Sequence, residues 1–320
     1  MYGDKSVLEY LKIGIANPAF SRFKKKIINP LAGTEKVRHF NNPNDDMRRL
    51  HQRFYGYLRL LKVPLPHSTA VRAGCQPIKN VWPHRRNRYF YLLDLKDFYP
   101  NILMSQIVPV ICSLAYGLAG REAEVEKFLA DYCFAPEGGL RVGAPSSPDI
   151  ANLVAGVWLD TKLGELAKKY SLVYTRYLDD LTFSGKEVIG EKKRRTIRQV
   201  IINTGFVINH RKCAVHDLKK GPLIITGIKL ELGGRTMLNR NFLRTVRGLM
   251  HLSATGRADP SYVYGRMGCF FSSIMRGGHH YNQTERKLLM AYDQFRQGIK
   301  DGSIVNEPLP PKKRPSPRAV

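Results

Sequence analysis

The chain has 320 residues, 43% of them hydrophobic and 10% aromatic, which allows a packed interior and excludes general disorder. Lys and Arg number 52 against 26 Asp and Glu, a net charge of +26. Self-repulsion on that scale opposes compaction unless a polyanion screens it, so nucleic acid is the expected partner and a nonspecific, ribosome-like basic protein the plainer alternative.

Residues 1–35 read as an N-terminal basic arm containing Arg22-Phe23-Lys24-Lys25-Lys26. The opening MYGDKSVLEY lacks the basic-then-apolar pattern of a secretion signal, so a cytoplasmic location is expected. In 44–62, Met47, Leu50, Phe54, Leu58 and Leu61 recur at three- and four-residue steps. That predicts a helix with Asn44 as N-cap and Asp45 and Asp46 in its first turn, stopped by Pro64 and Pro66. Tyr89 to Leu93 predicts a strand ending at Asp94.

Residues 102–120 carry no charge and approach the length that spans a bilayer. Ser105, Gln106, Pro109 and Ser113 favour instead a buried helix bent or started near Pro109, with no membrane partner. A helix over 148–166 starts at Pro148 and carries Ile150, Leu153, Val154 and Val157 on one face. The β-prone runs Val173 to Tyr177 and Leu181 to Ser184 are joined through Leu178-Asp179-Asp180 as a hairpin. Residues 192–204 read as helix, 223–228 and 229–232 as strands before Gly233-Gly234, and 240–300 as mostly helical. The end, 306–320, is rich in proline with Lys312, Lys313, Arg314 and Arg318, and reads as a disordered basic tail. Cys75, Cys112, Cys133, Cys213 and Cys269 are widely spaced without a CxxC pair, which predicts buried thiols in a reducing compartment.

The chemistry points to Asp94 and the pair Asp179-Asp180. If the strand ending at Asp94 lies beside the hairpin, Asp94 and Asp179 converge. Clustered carboxylates raise one another's pKa unless a cation sits between them, and Mg²⁺ suits an all-oxygen site. Two such ions can activate a 3′-hydroxyl and stabilise a departing pyrophosphate. The plain alternative is that each Asp caps a turn.

Four stretches in order carry a family resemblance. Tyr177-Leu178-Asp179-Asp180 resembles the YxDD motif of reverse transcriptases, and Leu93-Asp94-Leu95-Lys96-Asp97-Phe98-Tyr99-Pro100 resembles their first palm motif. Val142-Gly143-Ala144-Pro145-Ser146-Ser147-Pro148-Asp149-Ile150-Ala151-Asn152 resembles the loop and helix between them, and Gly205-Phe206-Val207-Ile208-Asn209-His210-Arg211-Lys212 the fourth motif. The resemblance implies an α+β right-hand polymerase. Its fingers would come from 36–88 and 101–147, and its palm, an antiparallel sheet plus helices, from 89–100 and 148–232. A helical thumb would take 233–300 and a basic Pro-rich tail 301–320. It further implies Asp94, Asp179 and the Leu95 carbonyl as ligands of two Mg²⁺ ions, with Mn²⁺ an alternative, and Asp180 in support. Tyr99 would be a steric gate against the 2′-hydroxyl, Arg38 a triphosphate clamp, and Lys212 the acid that protonates pyrophosphate. Many members carry Gln before the equivalent of Gly143, where it contacts the incoming sugar. Here Val142 cannot donate that bond, so selection would rest more on Tyr99.

Asn80-Val81-Trp82-Pro83-His84 resembles the NAxxH element of bacterial retron reverse transcriptases, and Ile225-Thr226-Gly227 their VTG element. Residues 263–271 look like a retron thumb helix. This narrower resemblance implies an enzyme that takes dNTPs, binds a structured noncoding RNA and keeps its cDNA product. A guanosine 2′-hydroxyl would prime it, a host RNase H would assist, and a nearby effector protein would act with it in antiphage defence. Asn80, His84, Arg85, Arg86, Thr226, Gly227, Arg240, Arg244 and Arg247 are the candidate RNA contacts, and Lys192, Lys193, Arg194, Arg195 and Arg198 form a further basic cluster. The alternatives are a defence- or CRISPR-associated reverse transcriptase outside the retrons, and a catalytically silent RNA-binding scaffold or antitoxin subunit.

Overall fold

The computed structural model describes residues 6–29, 34–71, 76–115, 117–274 and 281–304, the side chains of 25–29 and 34–38 excepted. They fall into two compact units, 1–75 with 86–220 and 76–85 with 221–320.

The first unit opens with α1 (Val7–Lys12), capped by Ser6. A hairpin follows, β1 (Phe20–Asn29) against β2 (Thr34–Pro43), with Phe20 opposite Pro43. The basic run at 22–26 is thus a paired strand, and Phe23 stacks on Phe40 at 5.5 Å between ring centres. Helix α2 (Asp45–Leu60) starts where its cap is written: the Asn44 side chain accepts from the Met47 N–H at 2.8 Å. Its Met47, Leu50, Phe54 and Leu58 are buried. The short α3 (Pro77–Val81) belongs to the second unit.

Strand β3 (Tyr89–Asp94) is central. It is followed by α4 (Met104–Leu114) and α5 (Glu122–Tyr132). Helix α4 begins five residues before Pro109 and contains it. Next come α6 (Ser147–Ala155), one π turn at Gly156–Asp160, and α7 (Thr161–Lys169). The periodicity over 148–166 had predicted one uninterrupted helix. A π turn inserts a residue without changing composition, so apolar spacing does not reveal it. Strands β4 (Val173–Tyr177) and β5 (Asp180–Gly185), helix α8 (Glu191–Asn203) and strand β6 (Ala214–Asp217) complete the unit.

The four strands pair antiparallel in the order β4-β5-β3-β6. Alternation along β3 sends Tyr91 and Leu93 into the core, where Leu181 and Phe183 of β5 join Ile150, Leu159, Leu163, Ile197 and Ile201 from the helices. Each such apolar side chain contributes about 1.5–3 kcal/mol on burial. Asp94, next to Leu93, consequently points to the opposite face.

In the second unit, β7 (Leu223–Ile225), β8 (Ile228–Leu230) and β9 (Thr236–Leu238) form an antiparallel sheet. The strand expected over 223–228 is broken: Thr226 and Gly227 both have positive φ, 46° and 83°, and turn the chain back as a tight hairpin. Two positive-φ residues match the twist of the flanking strands, and the apolar run masks them. Helices α9 (Arg240–Ala254), α10 (Pro260–Ser272) and α11 (Gln283–Lys300) pack on Leu243, Val246, Val263, Met267, Phe270 and Leu288. The tail at 306–320 and Cys75 lie outside the described residues. Cys112 and Cys133 are buried as expected, but Cys213 is only half-buried and Cys269 is exposed on α10. Among the described residues, no helix is long and apolar enough to cross a membrane.

Two buried histidines make stability pH-dependent. Desolvation pushes His51, whose Nδ1 lies 2.6 Å from Ser146 Oγ, down to about 4 and His84 down to about 3. The unfolded chain takes up these protons near pH 6.5 while the folded chain does not, so stability is full above that pH and falls as pH drops through it. Each is expected to cost about 2 kcal/mol between pH 7 and pH 5. Urea unfolding at the two pH values checks this, and His84→Gln should flatten the difference. An equally steep loss in that variant removes His84 from the account.

Candidate active site

The register of β3 on β5 sets Asp94 directly opposite Asp180, with Asp179 at the turn before it. Beyond Asp94 the chain stays tied: the Leu95 N–H donates to the Asp179 carbonyl at 2.9 Å, and Leu95 bridges Ile208. The Asn209 N–H donates to the Asp94 carbonyl at 2.8 Å. The first palm motif and the YLDD turn are thus locked backbone to backbone, and the fourth motif is laced to the first.

The side chains follow. Asp94 is buried, its Oδ1 accepting from Asn209 Nδ2 at 2.8 Å and its Oδ2 paired with Lys212 Nζ at 2.6 Å. Surrounding protein atoms, then the Asp179 and Asp94 charges, push the Asp180 carboxyl up to about 6, with Lys212 acting the other way. The hydrogen bond to Asp94, aided by the charges of all three carboxylates, raises Lys212. Among the described residues, no group of three or more His, Cys, Asp and Glu is gathered tightly enough to hold a metal ion. The Asp180 carboxyl nonetheless lies in the field of Asp179 and Asp94, and the Lys212 ammonium, which feels all three charges, stands at Asp94 where positive charge is wanted.

A cleft of about 1030 Å³ opens here, with Asp94, Asp179, Tyr99, Val142, Asn41 and Lys212 on its walls. Tyr99 is half-buried against Phe98, at 5.6 Å between ring centres. Its carbonyl accepts from Leu140 N–H at 2.9 Å. Burial, then the charges of Asp179 and Asp149, push its phenol up to about 12, so it stays a neutral ring. The Val142 carbonyl accepts from Asn41 N–H at 2.8 Å, fixing the loop to β2. Gly143 has φ +100°, and a Cβ there would lie 2.6 Å from the Asn41 carbonyl oxygen. No side chain fits at 143 without moving backbone. Arg38 pairs through its backbone with Lys25, but its side chain lies outside the described residues.

The candidate RNA contacts divide by exposure. Asn80 and His84 are wholly buried in the second unit, so they shape its surface from beneath. Thr226 Oγ1 donates to the Pro77 carbonyl at 3.4 Å, joining the β7–β8 turn to the segment that carries Asn80. The Arg85 guanidinium lies 4.1 Å over the Trp82 ring and donates to the Trp82 carbonyl. Arg86, Gly227, Arg240 and Arg244 are exposed, and Arg247 is half-buried.

Sequence reasoning assigned nothing to Asn41, Arg176 or Asn209. Asn209 stood within a quoted motif, and its position three residues before Lys212 was the available signal.

Residues 23–231 match the family described as reverse transcriptase (RNA-dependent DNA polymerase). The chain is 32% identical over 234 residues to the retron Mx65 reverse transcriptase of Myxococcus xanthus, which covers 68% of this chain and 53% of that protein. It is 30% identical over 201 residues to the retron Ec86 reverse transcriptase of Escherichia coli, 61% of this chain and 58% of that one. The chain thus spans little more than half the length of these two relatives. Telomerase from Candida albicans, solved with a TWJ fragment of telomeric RNA, aligns with a TM-score of 0.52 at 10% identity, over 93% of this chain and 58% of that one. Apo telomerase from Candida tropicalis aligns at 0.50 and 10%, over 86% and 58%. These two share the fold alone. The motif order, the antiparallel sheet carrying the aspartates and the family match converge: the chain belongs to the reverse transcriptase family, is of the bacterial retron type, and has the α+β right-hand polymerase fold.

Proposed function

We propose that the protein is an RNA-directed DNA polymerase that binds a structured noncoding RNA and copies part of it from dNTPs into single-stranded DNA. The observation that carries this reading is the β3–β5 register, which brings Asp94, Asp179 and Asp180 to one end of a sheet beside a cleft holding Tyr99.

The donor set is all oxygen, and its crowded negative charge fits a hard divalent cation. Asp94 and Asp179 would hold Mg²⁺, with Asp180 and the Leu95 carbonyl in support. Bound there, it supplies activation of a primer hydroxyl and charge stabilisation of pyrophosphate. The protein's own groups do the rest. Asn209 fixes the Asp94 carboxylate, and Lys212 is placed to give a proton to the departing pyrophosphate. Tyr99 fills the space a 2′-hydroxyl would need. Arg22, Lys96, His210 and Arg211 line the same cleft and suit a triphosphate and a nucleic-acid backbone.

In this reading one cognate RNA yields a branched RNA–DNA product, and the enzyme serves antiphage defence with an effector protein; the effector, the defence role and template removal by host RNase H rest on the motif resemblance alone. Sequencing nucleic acid that copurifies with the protein tests this. One defined branched RNA–DNA supports it, and cDNA of many unrelated sequences overturns the assignment of a single cognate RNA and a branched product. Tyr99→Ala should lower discrimination against rNTPs by about 10²-fold, the scale on which a pocket rejects an added hydroxyl. Single-nucleotide incorporation with paired dNTP and rNTP measures it, and unchanged discrimination removes Tyr99 as the gate.

A further inference from the structure

Arg176, on β4 one residue before the YLDD turn, is wholly buried, an unusual place for a guanidinium. Every arm of it is engaged. Nη2 and Nε reach Asp160 at 2.7 and 2.8 Å, and Nη1 reaches Asn152 Oδ1 at 2.9 Å. One further contact leaves the core: Nη1 also donates to the Leu178 carbonyl at 3.1 Å. Leu178 is a non-glycine residue at φ +56°, a conformation that persists only when its surroundings impose it. The next carbonyl, that of Asp179, is held from the other side by Leu95 N–H.

Asp160 reaches Arg176 from the last residue of the π turn. Such turns re-aim side chains out of the helical pattern. Tyr174 OH donates to Asp160 Oδ1 at 2.7 Å and fixes it further.

We propose that Arg176 is a positioning residue: anchored on the π-turn Asp160, it clamps the Leu178 carbonyl and so holds the turn that aims Asp179. This rests on the polymerase reading for its consequence in rate, but not for the clamp itself.

Arg176→Lys separates the two roles, because an ammonium can still face Asp160 but lacks the fork that reaches Leu178 at the same time. Amide exchange of the segment 177–181, measured without nucleic acid, should be faster than in wild type. The kcat per titrated active site should fall by about 10–100-fold, the cost of a small misplacement, while KM for dNTP stays within about twofold. A purely structural role would lower the number of active sites and leave kcat per site unchanged. Wild-type exchange in the turn, or wild-type kcat per site, overturns the proposal. If wild-type protein incorporates no dNTP, the polymerase reading fails and exchange alone decides the clamp. Should Arg176→Lys not fold, Tyr174→Phe removes only the hydroxyl bonded to Asp160. A smaller change of the same sign is expected, and no change in exchange overturns the clamp.

Discussion

Asp179→Asn should reduce Mg²⁺-dependent dNTP incorporation by about 10³-fold or more, because it removes one of the carboxylates that would hold the ion. The same substitution should leave the apoprotein as stable as wild type or more so. Burial first, and then the Asp179 charge, push Asp180 up, so the two carboxylates repel in the folded state. Neutralising one relieves that repulsion, and the Asp94–Lys212 pair stays intact. Primer extension gives the first half and thermal melting the second. Incorporation within tenfold of wild type would remove Asp179 from the reaction. A drop in melting temperature would mean that the carboxylate stabilises the fold by more than its repulsion costs.

Asp160→Ala should destabilise the first unit by about 3–5 kcal/mol, since it leaves the buried Arg176 guanidinium without its counter-charge. The cost comes less from the lost attraction than from the stranded charge. The double variant Asp160→Ala with Arg176→Met should therefore recover much of the loss, although it removes the same pair. Urea unfolding of the single and double variants measures both terms. A loss below about 1 kcal/mol in the single variant would mean that solvent reaches Arg176, contrary to its complete burial.

What the sequence disclosed follows from how local each signal is. Helix α2 was legible because its cap, acidic first turn and apolar face all lie within one segment. The strand ending at Asp94 and the hairpin around Asp179 were legible for the same reason, and their convergence needed only that the strands be neighbours. Arg176 was not, because nothing in Tyr-Thr-Arg-Tyr marks an arginine as buried; its partner comes from a π turn that leaves no spacing signature. The Thr226-Gly227 turn hid inside an apolar run, and the basic stretch at 22–26 found its strand partner at 37–41, a pairing charge alone does not announce. Asn80 and His84 came to notice as motif residues, but burial makes them internal supports.

The outer side of β4 bears on self-association. A terminal strand with bare N–H and C=O groups is a template on which a second chain can add. At Arg176 both backbone groups are already committed: its N–H donates to the His67 carbonyl at 2.7 Å and its carbonyl accepts from Thr69 N–H at 2.8 Å, with Ser68 bridged alongside. Strand exchange or fibril growth along that margin would first have to peel 67–69 away. The segment therefore acts as a selvedge for the sheet, keeping copies of the protein from knitting together there once a bound polyanion has neutralised the charge that otherwise holds them apart.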